Sequence, residues 1–231
     1  MRFILIVLIG VGLYFFLTSD FFAVEEIIVE DSSYYTAGQI IELAGAERGV
    51  NLFEADVKGM KARLLADPYI KSASVNRQLL DKLILSVEER EEKAAAPFGT
   101  GYVVIDENGM ALRLTESAPA LPLLEGMTIS AAEPGEPLQT EENARLKGTL
   151  SLLEAMEEED LYFKKVEVSN LLVRAYIYDN LFCVGEPEII LENMDGLQEV
   201  LYDLYIQGIE RGTIYVGSDG YFSYSPSVDA E

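Results

Sequence analysis

The residues in this chain with the means to do acid-base chemistry are carboxylates. Acids stand side by side at Glu88-Glu89 and Glu91-Glu92 and run together at Glu157-Glu158-Glu159-Asp160. Glycoside hydrolysis needs two carboxylates about 5 to 9.5 Å apart across a cleft. Neighbouring residues on a strand point to opposite faces, and acidic runs at helix ends are solvated. These pairs therefore predict no catalytic centre. The chain has no His and a single Cys, Cys183. That excludes Ser-His-Asp and Cys-His nucleophiles and imidazole zinc sites. Cys183 has no intramolecular disulfide partner and reads as a small buried hydrophobe. Asp106-x-Asn108-Gly109 lacks the further ligands of a calcium loop and predicts a tight turn. No cofactor and no metal are expected.

The sharper candidate is a binding surface. Tyr221, Phe222, Ser223 and Tyr224 lie near the end of the sequence, where a terminal strand would present a free sheet edge able to accept another strand. Alternation places Tyr221 and Ser223 on one face and Phe222 and Tyr224 on the other. Two readings stand: aromatic anchors beside free main-chain groups, or a closing strand with Phe222 in the core.

The elements that must position these residues follow from composition and pattern. A length of 231 residues allows one or two domains plus appendages. A formal charge of −23 argues against a phosphate-backbone partner and against anionic lipid surfaces. With 49% hydrophobic residues most of the chain should fold. Phe3 to Leu17 holds no charge and no Pro, and apolar character resumes at Phe21-Phe22. Counted from Phe3 to Phe22, a helix would rise about 30 Å, the thickness of a bilayer core. Ser19-Asp20-Phe21-Phe22-Ala23 offers no small-x-small cleavage site, which favours an anchor over a cleaved signal. Arg2 precedes the segment and acids follow it, which predicts a cytoplasmic N-terminus and an extracytoplasmic remainder.

Beyond the anchor, the β-branched run within residues 24–30 predicts a strand. Thr36 and Gln39 have capping-box spacing ahead of a helix that Gly45 ends. A second helix is expected from Glu54 to Ala66, with Val57, Met60 and Leu64 on its buried stripe and Asp67-Pro68 as its stop. Alternation predicts strands at 70–77 and 82–89. The order is strand, helix, helix, strand, strand. Residues 91–96 read as a joint, and 102–112 as a hairpin turning at Asn108-Gly109. Ala131 to Pro137 reads as an exposed loop. A helix over 144–156 and strands around Val166 and Ala175 follow, then a breaker-rich junction at Cys183 to Pro187. A helix from Leu191 to Gln207 and strands at 212–216 and 220–224 close the chain.

That order, with Asn51-Leu52-Phe53, Asp67-Pro68-Tyr69-Ile70-Lys71, Arg77 and Val87-Glu88-Glu89-Arg90, resembles a POTRA domain of the FtsQ/DivIB cell-division family. Tyr102 to Leu112 is similar to that family's "IDxxG" hairpin, and Leu121 to Gly126 to its "LPxxxG" element. Gly185 to Asn193 and Gly212-Thr213-Ile214-Tyr215-Val216 resemble its "GxPxxxxxK" and "GTIxL" elements, with Asn193 near the place of the usual Lys. The resemblance implies an α+β protein with a single N-terminal transmembrane helix (1–22), a β-α-α-β-β POTRA domain (23–92), a larger mixed domain with a predominantly antiparallel sheet (93–226) and a short tail (227–231). It implies a non-enzymatic divisome scaffold at the septal membrane. Its FtsB/DivIC-like and FtsL-like partners would add a strand at Tyr221, Phe222, Ser223 and Tyr224, supported by Tyr215. Other readings are a POTRA-type chaperone for exported chains or an anchored carboxylate hydrolase. No nucleic acid or small-molecule substrate is expected.

Overall fold

The computed structural model describes residues 2–158, 161–169 and 171–226. The tail at 227–231, and Glu159-Asp160 of the acidic run, lie outside the described residues. Two compact units part between Arg90 and Glu91.

The first unit begins with helix α1 (Arg2–Leu17) and a 3-10 turn (Asp20–Phe22). Here the structure corrects the expected transmembrane helix. Among the described residues, no helix is long and apolar enough to cross a membrane. α1 has 16 residues and rises about 24 Å. It ends because the Thr18 hydroxyl donates back to the Tyr14 carbonyl (2.9 Å) and the Ser19 hydroxyl to that of Phe16 (2.6 Å). Hydroxyls of this kind compete with the backbone ladder. Asn51 then donates from Nδ2 to the Leu17 carbonyl (2.8 Å), and Phe22 is buried in the core of the unit. Phe22, which seemed to complete the span, thus belongs to the core of the unit, while Phe21 beside it is exposed.

Strand β1 (Glu26–Glu30), helices α2 (Ala37–Ala44) and α3 (Val57–Leu65), and strands β2 (Ile70–Gln78) and β3 (Lys82–Glu89) complete this unit. The sheet order is β1-β3-β2, with β1 parallel and β2 antiparallel to the central β3. Thr36 and Gln39 form a reciprocal capping box, and Gly45 ends α2 at φ 62°. α3 starts at Val57 rather than Glu54, because the Asp56 carboxylate caps it by accepting from Gly59 N (2.9 Å). Met60 and Leu64 meet Leu83, Leu85 and Val87 in the core. Burying each such side chain contributes about 1.5–3 kcal/mol. Arg77 fastens β2 to the loop before α3, donating to the carbonyls of Leu52 (2.6 Å) and Ala55 (2.8 Å).

The second unit holds strands β4 (Ala94–Phe98), β5 (Gly101–Ile105), β6 (Ala111–Thr115) and β7 (Leu123–Glu125). A small ribbon of β8 (Ile129–Ala131) and β9 (Gln139–Thr140) precedes helix α4 (Asn143–Glu158). Strands β10 (Lys165–Val168), β11 (Val173–Tyr178) and β12 (Asn180–Gly185), helices α5 (Pro187–Glu192) and α6 (Met194–Ile206), and strands β13 (Arg211–Val216) and β14 (Phe222–Ser225) follow. Nine strands form one sheet in the order β14-β13-β12-β11-β10-β7-β4-β5-β6. Antiparallel pairs outnumber parallel ones, and β12 and β13, joined through α5 and α6, run parallel. Helix residues Leu146, Leu150, Leu153, Ile190 and Leu197 share one core with Val166, Ala175, Cys183 and Ile214 of the sheet.

Three expectations change here. The joint at 91–96 is in part strand, since Ala94, Ala95 and Ala96 are fully buried in β4. Cys183 and Val184 lie inside β12, between β11 and β13, and the breakers act only after them. The helix expected over 191–207 is two helices meeting at Asn193.

Candidate partner-binding edge

β14 ends the nine-strand order and pairs only with β13 among the described strands. Its hairpin turns at Ser218-Asp219-Gly220. Gly220 N donates to the Gly217 carbonyl (2.9 Å), Gly217 N to that of Tyr221 (2.9 Å), and Gly220 takes φ 77°. This is a three-residue loop whose αL position suits Gly. The turn also sets the polarity of the edge. Antiparallel pairs alternate between bonded and non-bonded, and Gly217–Tyr221 is a bonded pair. Tyr215–Ser223 and Thr213–Ser225, in register with it, are therefore bonded too. The N–H and C=O groups of Phe222 and Tyr224 point away from β13 into the open edge.

The side chains divide as alternation requires. Phe222 and Tyr224 are half-buried against the helical core. Phe222 lies over Gly196 of α6, where a Cβ would come within 2.7 Å of its ring. The Tyr224 hydroxyl donates to the Arg211 carbonyl (2.6 Å). Ser223 is exposed on the opposite face beside its partner Tyr215, which is 50% exposed. Tyr221 precedes the strand, at the turn, and is 78% exposed. Tyr215, Tyr221, Phe222, Ser223 and Tyr224 are thus brought together, in two roles. Phe222 and Tyr224 pin the strand, while Tyr215 and Tyr221 stand free beside it.

The paired acids do other work. Glu88 bridges to Lys71 (3.1 Å), and Glu92 holds Arg113 through both oxygens (2.6 and 3.0 Å). Glu89 accepts from the backbone N–H of Tyr34 (2.6 Å), Ser33 (2.7 Å) and Tyr35 (3.0 Å). Burial works against its charge, but those N–H groups hold the carboxyl at about 2. Asp106 is buried and accepts from Asn108 N and Met110 N (2.8 Å each), which makes the 106–110 turn structural. Among the described residues, no group of three acidic or sulfur side chains could hold a metal.

Sequence reasoning missed a network on the sheet face away from the helices. Glu167 on β10 accepts from the Tyr176 hydroxyl (2.8 Å), Lys165 (3.1 Å) and Arg174 (2.9 Å). Burial opposes its charge, and these donors keep it below the usual carboxylate value. Lys165 sits 4.4 Å over the Tyr176 ring, and Arg174 4.9 Å over that of Phe182. Alternate polar residues on β10 and β11 were the available signal, but only strand register shows that they meet.

A three-stranded unit with two helices between its first and second strands, followed in the chain by a mixed sheet with an open edge strand, is the arrangement of a POTRA-bearing protein with a second, α+β domain. The family model of the FtsQ-type POTRA domain matches residues 22–90. The cell division protein DivIB of Clostridium acetobutylicum is 24% identical over 185 residues, covering 78% of this chain and 74% of that protein. FtsQ of Syntrophotalea carbinolica is 32% identical over 111 residues, covering 47% and 39%. DivIB of Clostridium tetani is 22% identical over 206 residues, covering 87% and 78%. Residues 22–90 thus match an FtsQ-type POTRA domain, and the chain is similar over most of its length to DivIB cell division proteins.

Proposed function

We propose that this protein is a non-enzymatic scaffold of the division septum that takes up FtsB/DivIC-like and FtsL-like partners by strand addition at β14. The observation that carries this reading is the open edge, where the main-chain groups of Phe222 and Tyr224 face outward, with exposed Tyr221 just before the strand and exposed Tyr215 on the neighbouring β13. An added strand gains affinity from main-chain hydrogen bonds and specificity from side-chain contacts. Tyrosines at the centre of an interface are frequent hot spots. The core packing of Phe222 and Tyr224 keeps the strand ordered, so a partner meets a preformed edge at low entropic cost. Bound there, the partners would be linked through this chain to early division factors and to septal peptidoglycan synthesis. The POTRA unit would serve as recruiting surface or as spacer.

The test is amide hydrogen exchange on the full chain with and without the purified extracytoplasmic part of the FtsB/DivIC-like partner of the same organism. Protection of the Phe222 and Tyr224 amides on binding is expected. Joint Tyr215→Ala and Tyr221→Ala substitution should weaken binding about ten-fold or more. Binding with unprotected Phe222 and Tyr224 amides would overturn the reading.

A further inference from the structure

A second surface lies on α6, away from β14. A cleft of about 660 Å³ opens between α6 and the end of β11, floored by Ile177 and Leu201 and rimmed by Tyr162, Tyr178, Tyr202 and Tyr205. The four tyrosines are between 45% and 71% exposed. Four partly bare rings around an apolar floor form the kind of contiguous patch that marks a docking surface.

The surroundings select the occupant. Asp195 and Glu199 stand one turn apart on α6, both exposed, and Glu199 lines the cleft itself. Asp179 stands next to Tyr178 and already engages Lys164 (2.7 Å). An apolar floor within an acidic border complements a segment with aliphatic anchors on one side and lysine or arginine on the other. Tyrosine faces add cation–π attraction for the same groups. The volume is that of a groove for a few side chains, the scale on which an amphipathic helix is gripped.

The cleft and the β14 edge are on different flanks of α6. Phe222 packs at Gly196, whereas Tyr205 lines the cleft, and nine residues at about 100° each place these two positions about 180° apart. We propose that the cleft docks a cationic amphipathic helix of a partner protein, independently of any strand added at β14. Its Leu or Ile anchors would face Ile177 and Leu201, and its Lys or Arg residues Glu199 and, one turn before it, Asp195.

The experiment uses the full chain and a fluorescein-labelled Leu/Lys amphipathic peptide of about 14 residues, four helical turns. Controls are a scrambled peptide of the same composition and a Leu/Glu peptide. Expected are saturable binding of the Leu/Lys peptide, about ten-fold weaker binding of the scramble, and hydrogen-exchange protection within residues 198–206. Joint Tyr202→Ser and Tyr205→Ser substitution removes exposed rings without altering charge, and should weaken binding about ten-fold. Four results would overturn the proposal. Equal affinity for the scramble, or indifference to the Tyr202/Tyr205 pair, would mean general attraction to an acidic chain. Loss of peptide binding on substituting Tyr215 and Tyr221 would place the peptide at β14. Self-association in sedimentation, abolished by the Tyr202/Tyr205 pair, would make a second copy the occupant.

Discussion

Replacing Glu89 by Gln should uncouple the loop before α2 from the end of β3 and should do so in a pH-dependent way. Both oxygens of Glu89 are occupied. Oε2 accepts from the N–H of Ser33 and Tyr34 and the Ser33 hydroxyl, and Oε1 from Tyr35 N and the Ser32 hydroxyl. Gln keeps the shape but turns one acceptor into an NH2 that faces donors, leaving backbone N–H groups unmade. The folded carboxyl titrates at about 2 against 4.5 for a free one. At about 1.4 kcal/mol per unit, that difference corresponds to roughly 3 kcal/mol, reduced by solvent screening at this partly exposed site to about 2–3 kcal/mol. The sign follows from the depressed value. The stabilisation is fully present above about 4.5 and is lost as pH falls through about 2. Urea-dependent hydrogen exchange of the β2 and β3 amides, in the full-length wild-type and variant proteins, would read the gap. It should be about 2 kcal/mol near neutral pH and close on acidification. A gap below about 0.5 kcal/mol near neutrality, or one that does not change with pH, would refute the argument.

Two further outcomes follow from the second unit. Gly196→Val would place a Cβ 2.7 Å from the Phe222 ring and should displace β14 at a cost of about 1–3 kcal/mol. Exchange of the Ser223 and Ser225 amides, which bond to β13, should accelerate about ten-fold or more while β10 and β11 stay protected; unchanged protection would show that Phe222 does not hold the strand. Burial pushes the Cys183 thiol up to about 12, so alkylation at mildly alkaline pH should proceed only through opening of the unit, about a thousand-fold slower than for a free thiol. Prompt labelling of the native chain would contradict its place inside β12.

The first unit was readable in sequence where local rules decide. The Thr36/Gln39 box, Gly45, and the alternation of Leu83, Leu85 and Val87 are each set by neighbours a few residues away, and the structure places them as their spacing requires. The function of Glu89 was not readable, because its partners lie 54 to 57 residues away. The same distance problem hid β4. Three alanines carry no β-branched signal, and a strand buried on both faces shows no alternation. β4 is an interior strand, paired with β5 on one side and β7 on the other. The apolar run at the N-terminus misled in the opposite sense. Hydropathy counts Phe21 and Phe22 with the helix, but it is blind to Thr18 and Ser19 bonding back onto the preceding turn and to Asn51 catching the chain there.

The terminal edge shows how far such reading extends into function. Residue types near the end of the chain are enough to expect a strand, and period-two alternation separates Phe222 and Tyr224 from Ser223. Which main-chain groups face outward depends on register, and register here is set by the Gly217–Tyr221 bonded pair that the three-residue turn creates. Shortening that loop by one residue would shift the pairing and send the side chains of Phe222 and Tyr224 toward solvent. The strand would lose its packing on Gly196 together with the Tyr224–Arg211 hydrogen bond, and the open edge would carry a different set of donors. Gly220, at φ 77°, therefore governs the set of groups that the edge presents. A β-branched residue there would strain the turn and disturb the edge even with every tyrosine in place.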